Sequence, residues 1–488
     1  MNSSFSPAGR SGPVAVVLAA GVLAIFFGLV SVTANPTLIS VAVALFVGVF
    51  LIARPAWIVW LVLSLGLLVT GLLPLFSEEG IVTKASWGVS ILCFFLMMVA
   101  FFTAITSPGA RRNTPAFVWL ALCFLVYSVL VSFIQWYSIG EFSGGFKRYF
   151  QMWGLLFALC WFPFIERDVR RWRVFLLIVA LLQLPAALYE LIALVPLREG
   201  LRNIVPLDVV AGTFGAMRYG GGASGEMATF LIIVLAFLLA QQMEKTLPPR
   251  RITLLALLVL TPLFLGETKA VVVLLPIMFL VLYRREMIAR PLYGLAGLVV
   301  GVLLTAAAGL FYVSLSERHL DDQIQDYLDY NIYDKGYGQY HLNRTTVITF
   351  WAKQQGTHDP ISFVLGNGLG SAHNQAGGHV AMRYPNHGIG LTTASSLLWD
   401  VGIFGVGLFV AIFVSAWRTA VGLQQKLADP TMRADVAAIQ AALALFAVYL
   451  FFRSSLLENL SFQIVFVVLL GYLARLHRTH GVLPDKSR

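Results

Sequence analysis

Apolar residues run along this chain in blocks of about 15 to 25, each closed by a short polar stretch. Blocks of that length match a bilayer hydrocarbon core of roughly 30 Å at about 1.5 Å of helix rise per residue. The pattern predicts fourteen helices: 13–33, 37–53, 55–75, 86–107, 115–134, 149–166, 174–196, 225–242, 252–266, 269–283, 292–314, 391–417, 435–455 and 459–476. Pro36, Pro55, Pro115 and Pro291 stand at block boundaries, where proline is tolerated in a first helical turn. The blocks 252–266 and 269–283 are short and joined only by Glu267–Thr268, which suits tilted or incompletely spanning helices. The block after Arg10 is followed at once by further spans and reads as an uncleaved first helix. The fold class expected is an all-α polytopic integral membrane protein with twelve to fourteen transmembrane helices and one large external loop.

Composition agrees with the pattern. Of 488 residues, 58% are hydrophobic and 12% charged, about half the charged share of a soluble domain. Cys93, Cys123 and Cys160 all fall inside apolar blocks, without metal-ligand spacing and without a disulfide framework. The net charge of +10 does not mark nucleic acid as a partner, because the basic residues form no patch interleaved with aromatics in a polar domain. Four regions follow: an N-terminal bundle 1–196, central helices 197–314 with a Gly-rich loop 197–224, a large loop domain 315–390, and C-terminal helices with a tail, 391–488.

Charge then orients the spans. With the N-terminus in the cytoplasm and one crossing per block, the cytoplasmic side collects Arg10, Arg54, Arg111–Arg112, Arg167 to Arg173, Lys245 to Arg251, Arg284 to Arg290, Arg418 to Arg433 and the C-terminal tail. Those loops net +14 and the outside −4, which together give the chain's +10. This is the positive-inside pattern, with both termini cytoplasmic. The cytoplasmic loops carry no P-loop and no dinucleotide fingerprint, so chemistry is expected outside.

The outer loops hold the candidate residues, and each admits a plain structural reading as well. Six glycines from Gly212 to Gly225 surround Arg218, a loop whose amides and guanidinium suit a phosphate or, equally, a flexible re-entrant segment. Lys269 follows Glu267 at the outer turn of the short pair, as a second cation for an anionic substrate or as a snorkelling anchor. The large loop opens with Glu317, Asp321, Asp322, Asp326 and Asp329, at a spacing that suits a solvated helix face better than a cation site. Tyr327, Tyr330, Tyr333, Tyr337, Tyr340 and Trp351 suit an interface belt or stacking on sugar rings. Arg344, the turn Gly366-Asn367-Gly368, His373 and the run Arg383-Tyr384-Pro385-Asn386-His387 complete the set. Histidine takes a proton near neutrality, so His387 is a candidate base as well as an ordinary surface residue.

In order and spacing, 205–410 resembles the O-antigen ligase and polymerase superfamily of bacterial inner-membrane enzymes. The resemblance rests on Gly212-Thr213-Phe214-Gly215 with Arg218, then Leu265-Gly266-Glu267-Thr268-Lys269-Ala270, then Gly366-Asn367-Gly368 with His373 or His387, and Asp400-Val401-Gly402-Ile403-Phe404-Gly405. The chain departs from the family pattern in three places. Lys269 stands for an arginine, Asp400 for a glutamate, and His373-Asn374 begins 27 residues before Asp400. His387 is nearer but lacks the following asparagine.

The resemblance implies a fold of the lipid-linked-sugar glycosyltransferase type (GT-C-like). It implies a periplasmic-face transferase in the bacterial inner membrane that acts on an undecaprenyl-diphosphate-linked glycan without metal or cofactor. Arg218 and Lys269 would stabilise the leaving diphosphate and His387 would act as base, with His373 as the second choice. Arg344, Arg383, Tyr340, Tyr384, Trp351 and His373 would hold sugars. Chain-length regulator and export proteins would be further partners. The loops look closer to exopolysaccharide polymerases, with an O-antigen ligase acting on lipid A core as the alternative. A flippase or transporter is the competing class; it predicts ionisable residues near the midplane, for which Glu190 and Asp400 are the main candidates, with Arg453 and Glu458 near a helix end.

Overall fold

The computed structural model describes residues 21–22, 24–25, 28–32, 35–52, 54–76, 79–198, 210–215, 222–265, 270–292, 295, 299, 303, 336, 340–356 and 358–480. Every regular element among them is helical. In chain order the main ones are α1 (Pro36–Leu51), α2 (Pro55–Phe76), α3 (Glu79–Thr106), α4 (Ala116–Ile134), α5 (Ile139–Phe150), α6 (Trp153–Trp161), α7 (Glu166–Arg198) and α8 (Ser224–Met243). They continue with α9 (Pro249–Leu265), α10 (Val271–Leu282), α11 (Thr346–Gly356), α12 (Pro360–Leu365), α13 (Thr393–Lys426), α14 (Pro430–Phe452) and α15 (Leu460–His480). Among the described residues eight helices are long and apolar enough to cross a membrane, and α10 is a shorter apolar helix. The chain is therefore a multi-pass α-helical membrane protein. Most of the expected span 292–314 lies outside the described residues, as do Arg218, Lys269 and most of the acidic and tyrosine-rich stretch from 317 to 339.

The bundle is layered by burial. In α15 and α8, 83% and 78% of the apolar window is buried, against 28% in α7, which places α15 and α8 centrally and α7 at the edge. All nine residues of α6 are buried. Large apolar side chains such as Leu130, Ile192, Leu254, Leu257 and Phe404 point outward, a surface that hydrocarbon solvates and water does not.

The expected single span 149–166 is corrected. The chain crosses there as two half-helices, α5 and α6, beginning at Ile139 and interrupted at Gln151–Met152. The crossing runs antiparallel to α4: Phe142 meets Phe133, Phe150 and Trp153 meet Phe124, and Trp161 meets Trp119. The break thus lies about midway along α4. An interrupted helix frees backbone groups, and each one left unmatched in hydrocarbon costs several kcal/mol. Gln463 of α15 meets much of that demand. Its Oε1 accepts from Met152 N–H at 3.0 Å, and its Nε2 donates to the carbonyls of Arg148, Tyr149 and Leu456 at 3.0, 3.3 and 3.0 Å. Ser461 on the same helix closes the π turn at Leu65–Val69 of α2, donating to Gly66 O at 2.7 Å.

A second crossing is also broken. α13 kinks at Gly402, whose φ of 64° and ψ of −173° lie outside the helical region. A side chain there would stand 2.4 Å from Val364 O, so both the positive φ and the close approach of α12 require glycine. The carbonyls released by the kink have partners. Tyr127 Oη donates to Val401 O at 3.1 Å, Asn367 N–H and Nδ2 donate to Trp399 O at 2.9 and 2.8 Å, and Gly368 N–H donates to Asp400 O at 2.9 Å. The Gly-Asn-Gly turn is therefore a cap on a half-helix. The region expected as the loop 315–390 holds, in its described part, a small folded unit of α11, α12 and the turns 366–390, with its own apolar cluster around Trp351, Val380, Ile389 and Trp399.

The far end of the bundle is basic. Arg478 donates to the carbonyls of Ala110 and Cys160, Arg475 donates to Phe164 O at 2.7 Å, and Arg433 pairs with Glu244 at 2.6 Å. These contacts gather at one end the loops near 110, 164, 244 and 430, the same loops that the charge distribution groups together.

Replacing Gln463 by leucine removes one acceptor and one donor from a buried break, at about 1–3 kcal/mol for each unmatched group. We expect a loss of about 2–4 kcal/mol and a lower thermal unfolding midpoint in micelles. An unchanged midpoint would show that other groups close the break.

Candidate functional site

At the end of the bundle opposite the basic loops, cations converge on the short connection between α14 and α15. Arg344, just before α11, donates from Nε to Phe452 O at 2.7 Å, and its guanidinium lies 4.3 Å from the centre of the Phe452 ring. Arg453 donates to Gly222 O at 3.1 Å and pairs with Glu226 at 3.4 Å. Arg148 of α5 pairs with Glu458, and Ser455 bonds the Glu226 carboxylate. The outer half of α13 is tied to the same place, because Thr393 N–H and Oγ1 donate to Arg453 O at 3.1 and 2.7 Å. Arg148 adjoins Tyr149, whose ring is stacked on Phe124, so this charge is recessed toward the middle of the bundle. Charges at such depth are costly and mark functional candidates.

The segment Gly212-Thr213-Phe214-Gly215 docks beside this cluster. Glu190 accepts from Ala211 N–H at 3.0 Å and Gly212 N–H at 2.5 Å. Gln183 accepts from Thr213 N–H at 2.9 Å and donates to Thr213 Oγ1 at 2.8 Å. Asn459 donates to Phe214 O at 3.0 Å, while the Phe214 ring packs on Phe230. Arg218 itself lies outside the described residues. Both flanks of the segment that carries it are anchored, however: Phe214 on Asn459 and Gly222 on Arg453.

The loop unit brings together some of the residues chosen from sequence and separates others. His387 is partly buried against Phe350 and His341, with ring centroids at 5.3 and 5.1 Å. Its Nδ1 donates to Pro385 O at 2.9 Å, which assigns the lone pair to Nε2. Tyr340 lies against Gly388, and Tyr384 sits 5.9 Å from the His387 ring and donates to Gln354 at 3.3 Å. His341 N–H donates to Asn386 O at 2.9 Å, so the short stretch from Tyr340 to Arg344 links His387 to the cation cluster. His373 lies in the neighbouring turn, where its carbonyl accepts from Ala376 and Gly378. Arg383 is exposed at the end of the helical turn His379–Arg383. Trp351 is buried, stacked on Phe363 at 4.6 Å, and gives its indole N–H to Gln355 at 2.9 Å, which makes it a packing residue of this unit.

Two arrangements differ from what their sequence patterns suggest. Asp400, expected as part of a family motif, is a buried hub that accepts from Tyr149 Oη at 3.0 Å, Gly370 N–H at 3.1 Å, Ser371 Oγ at 2.7 Å and Ala372 N–H at 2.9 Å. Four donors fill its acceptor sites, and it joins both interrupted crossings to the loop unit. The second is Glu141 with His379. Glu141 accepts from His379 N–H at 2.7 Å and from Nδ1 at 3.0 Å, and Tyr137 covers the imidazole at 5.0 Å. Ser138-x-x-Glu141 reads as a capping box, and half of it forms, with Ser138 accepting from Glu141 N–H at 3.1 Å. The Glu141 carboxylate turns instead to a histidine 238 residues away.

No protein-family model matches the chain, and no curated protein is significantly similar to it.

One carboxylate of the loop unit titrates informatively. Asp359 caps α12, accepting from Ser362 N–H at 3.0 Å and Oγ at 2.6 Å. These hydrogen bonds, with a smaller contribution from the Arg383 charge, hold its carboxyl below the ordinary value of 3.8. Its stabilising effect is therefore present above that value and lost as pH falls through the lower folded one. Slower hydrogen exchange in Pro360–Leu365 than in an Asp359→Ala variant is expected at neutral pH, and the difference should vanish on acidification. A difference that persists unchanged into strong acid would contradict the cap.

Proposed function

We propose that the protein is a glycosyltransferase of the membrane, acting at the non-basic end of the bundle on a lipid-diphosphate-linked oligosaccharide and polymerising its repeat units. The observation that carries this reading is the convergence of Arg148, Arg344 and Arg453 on Phe452–Glu458, where both flanks of the Arg218 segment are also anchored. A lipid diphosphate needs cations recessed below the membrane surface, with open space above them for sugars. A folded unit with aromatic side chains beside that position supports the same reading.

In the proposed step an acceptor hydroxyl oxygen attacks the anomeric carbon, and the bond from that carbon to the diphosphate oxygen breaks. His387 Nε2 takes the hydroxyl proton, and the diphosphate leaves with the bonding pair. Arginines neutralise the charge that develops on it. Each arginine already has a carboxylate or carbonyl partner, so the diphosphate would enter by exchange of partners. The positive-inside rule puts the reaction on the non-cytoplasmic side, which the resemblance to bacterial inner-membrane enzymes makes periplasmic. Ligation to a lipid A core would use the same cations with a different acceptor.

The two interrupted crossings favour a second reading, because broken helices recur at the binding sites of transporters. Here the released carbonyls are occupied by Gln463, Tyr127 and the turn at Asn367–Gly368, which supports a structural use of the breaks.

Purified protein incubated with lipid-linked oligosaccharide should yield longer chains and free lipid diphosphate. Translocation without new glycosidic bonds would replace the transferase with a flippase. Arg218→Ala should abolish polymer while the protein still inserts, and His387→Ala should lower the rate by about 10²-fold or more. His379→Ala should retain activity; the reverse result would move the base to the imidazole oriented by Glu141.

A further inference from the structure

At the basic end of the bundle α4 and α13 part. Farther out they pack closely, with Phe124 against Phe409 at 5.3 Å and Tyr127 against Phe404 at 4.9 Å. Beyond Leu120 and Ala411 a cavity of about 600 Å³ opens between them, reaching His477 of α15. Small residues make the space: Ala116 on α4, and Ala411, Ser415 and Gly422 on α13. Nothing stands within 4 Å of the place a side chain would take at Gly422.

The walls are of two kinds. Leu120, Val414 and Leu423 make them apolar, whereas Arg418, Lys426 and His477 bring basic groups, and among the described residues no carboxylate lines the cavity. Arg418 and Lys426 are eight residues apart, two turns along one face of α13, or about 12 Å. Both are exposed at the end of an apolar span, the level at which lipid headgroups lie. Basic pockets between transmembrane helices attract anionic headgroups, with a gain of about fivefold in binding for each basic residue near the surface.

We propose that this groove is a binding site for an anionic phospholipid. One acyl chain lies along Leu120 and Val414, and the headgroup phosphate sits between Arg418 and Lys426 with His477 at the rim. Free phosphate satisfies the cations but leaves the apolar walls uncovered, and a zwitterionic lipid fills the walls but brings an ammonium toward Arg418 and Lys426. The site lies on the opposite end of the bundle from the proposed transfer chemistry and stands independently of it.

Native mass spectrometry of the purified full chain, titrated separately with phosphatidylglycerol, phosphatidylcholine and inorganic phosphate, tests the assignment. Phosphatidylglycerol is expected to bind in preference to the other two. Arg418→Gln and Lys426→Gln should each weaken it by about fivefold. Val414→Trp, which fills the groove and keeps both charges, should reduce its binding by at least as much. Unfolding midpoints equal to wild type in phosphatidylcholine establish that the variants are folded. Equal binding of the two lipids, equal binding of inorganic phosphate, or full phosphatidylglycerol binding by folded Val414→Trp would each overturn the proposal.

Discussion

Hydrocarbon offers no hydrogen bonds, and the rest of this structure follows from how the chain meets that constraint. Two of its crossings are interrupted inside the bundle, each releasing N–H and C=O groups that lipid cannot satisfy. Side chains from elsewhere close the gaps: Gln463 at the first, Tyr127 and Asn367 at the second. Asp400 then binds the two repairs together through Tyr149 and the amides of Gly370 and Ala372. The loop unit is held in place by the same bonds that heal α13.

That arrangement accounts for where charge can be kept. A straight helix would carry its polar side chains to the surface, whereas the break in α5–α6 lets Arg148 turn toward Glu458 at depth. The connection between α14 and α15 likewise falls inside the bundle's outer rim, bringing Arg453 beside Glu226 and Arg344 beside Phe452. Paired in this way, the cations are tolerable in a medium of low dielectric.

Much of the scaffold is legible in the amino-acid sequence, because apolar period and length are local properties. The blocks at 55–75, 115–134, 225–242 and 435–455 correspond to helices within a few residues. The break at Gln151–Met152 is not legible, since it carries neither proline nor glycine and its partner is 311 residues away. Gly402 is visible as a glycine, but only the proximity of Val364 explains it. Among site residues, Arg344 and His387 stand out as polar groups in an outer loop. Arg453 and Glu458 show only as ionisable residues near a helix end, and Arg148, at the edge of an apolar block, looks like an ordinary anchor. Trp351 shows the opposite error: an aromatic in a polar segment suggests sugar stacking, but the segment folds and needs a core of its own. Glu141 and His379 pair across 238 residues, a relation no local pattern encodes.

The dependence of α5–α6 on Gln463 also has a meaning in time. Membrane helices enter the bilayer as they leave the ribosome, and the interrupted crossing emerges long before α15. Until then its carbonyls and the Met152 N–H face an incomplete bundle. The first half of the protein must therefore wait for the second, shielded by water, by an insertion factor or by a provisional partner. Assembly of this bundle is ordered by its last described crossing, and the interval before that helix arrives is when the chain is most exposed to quality control.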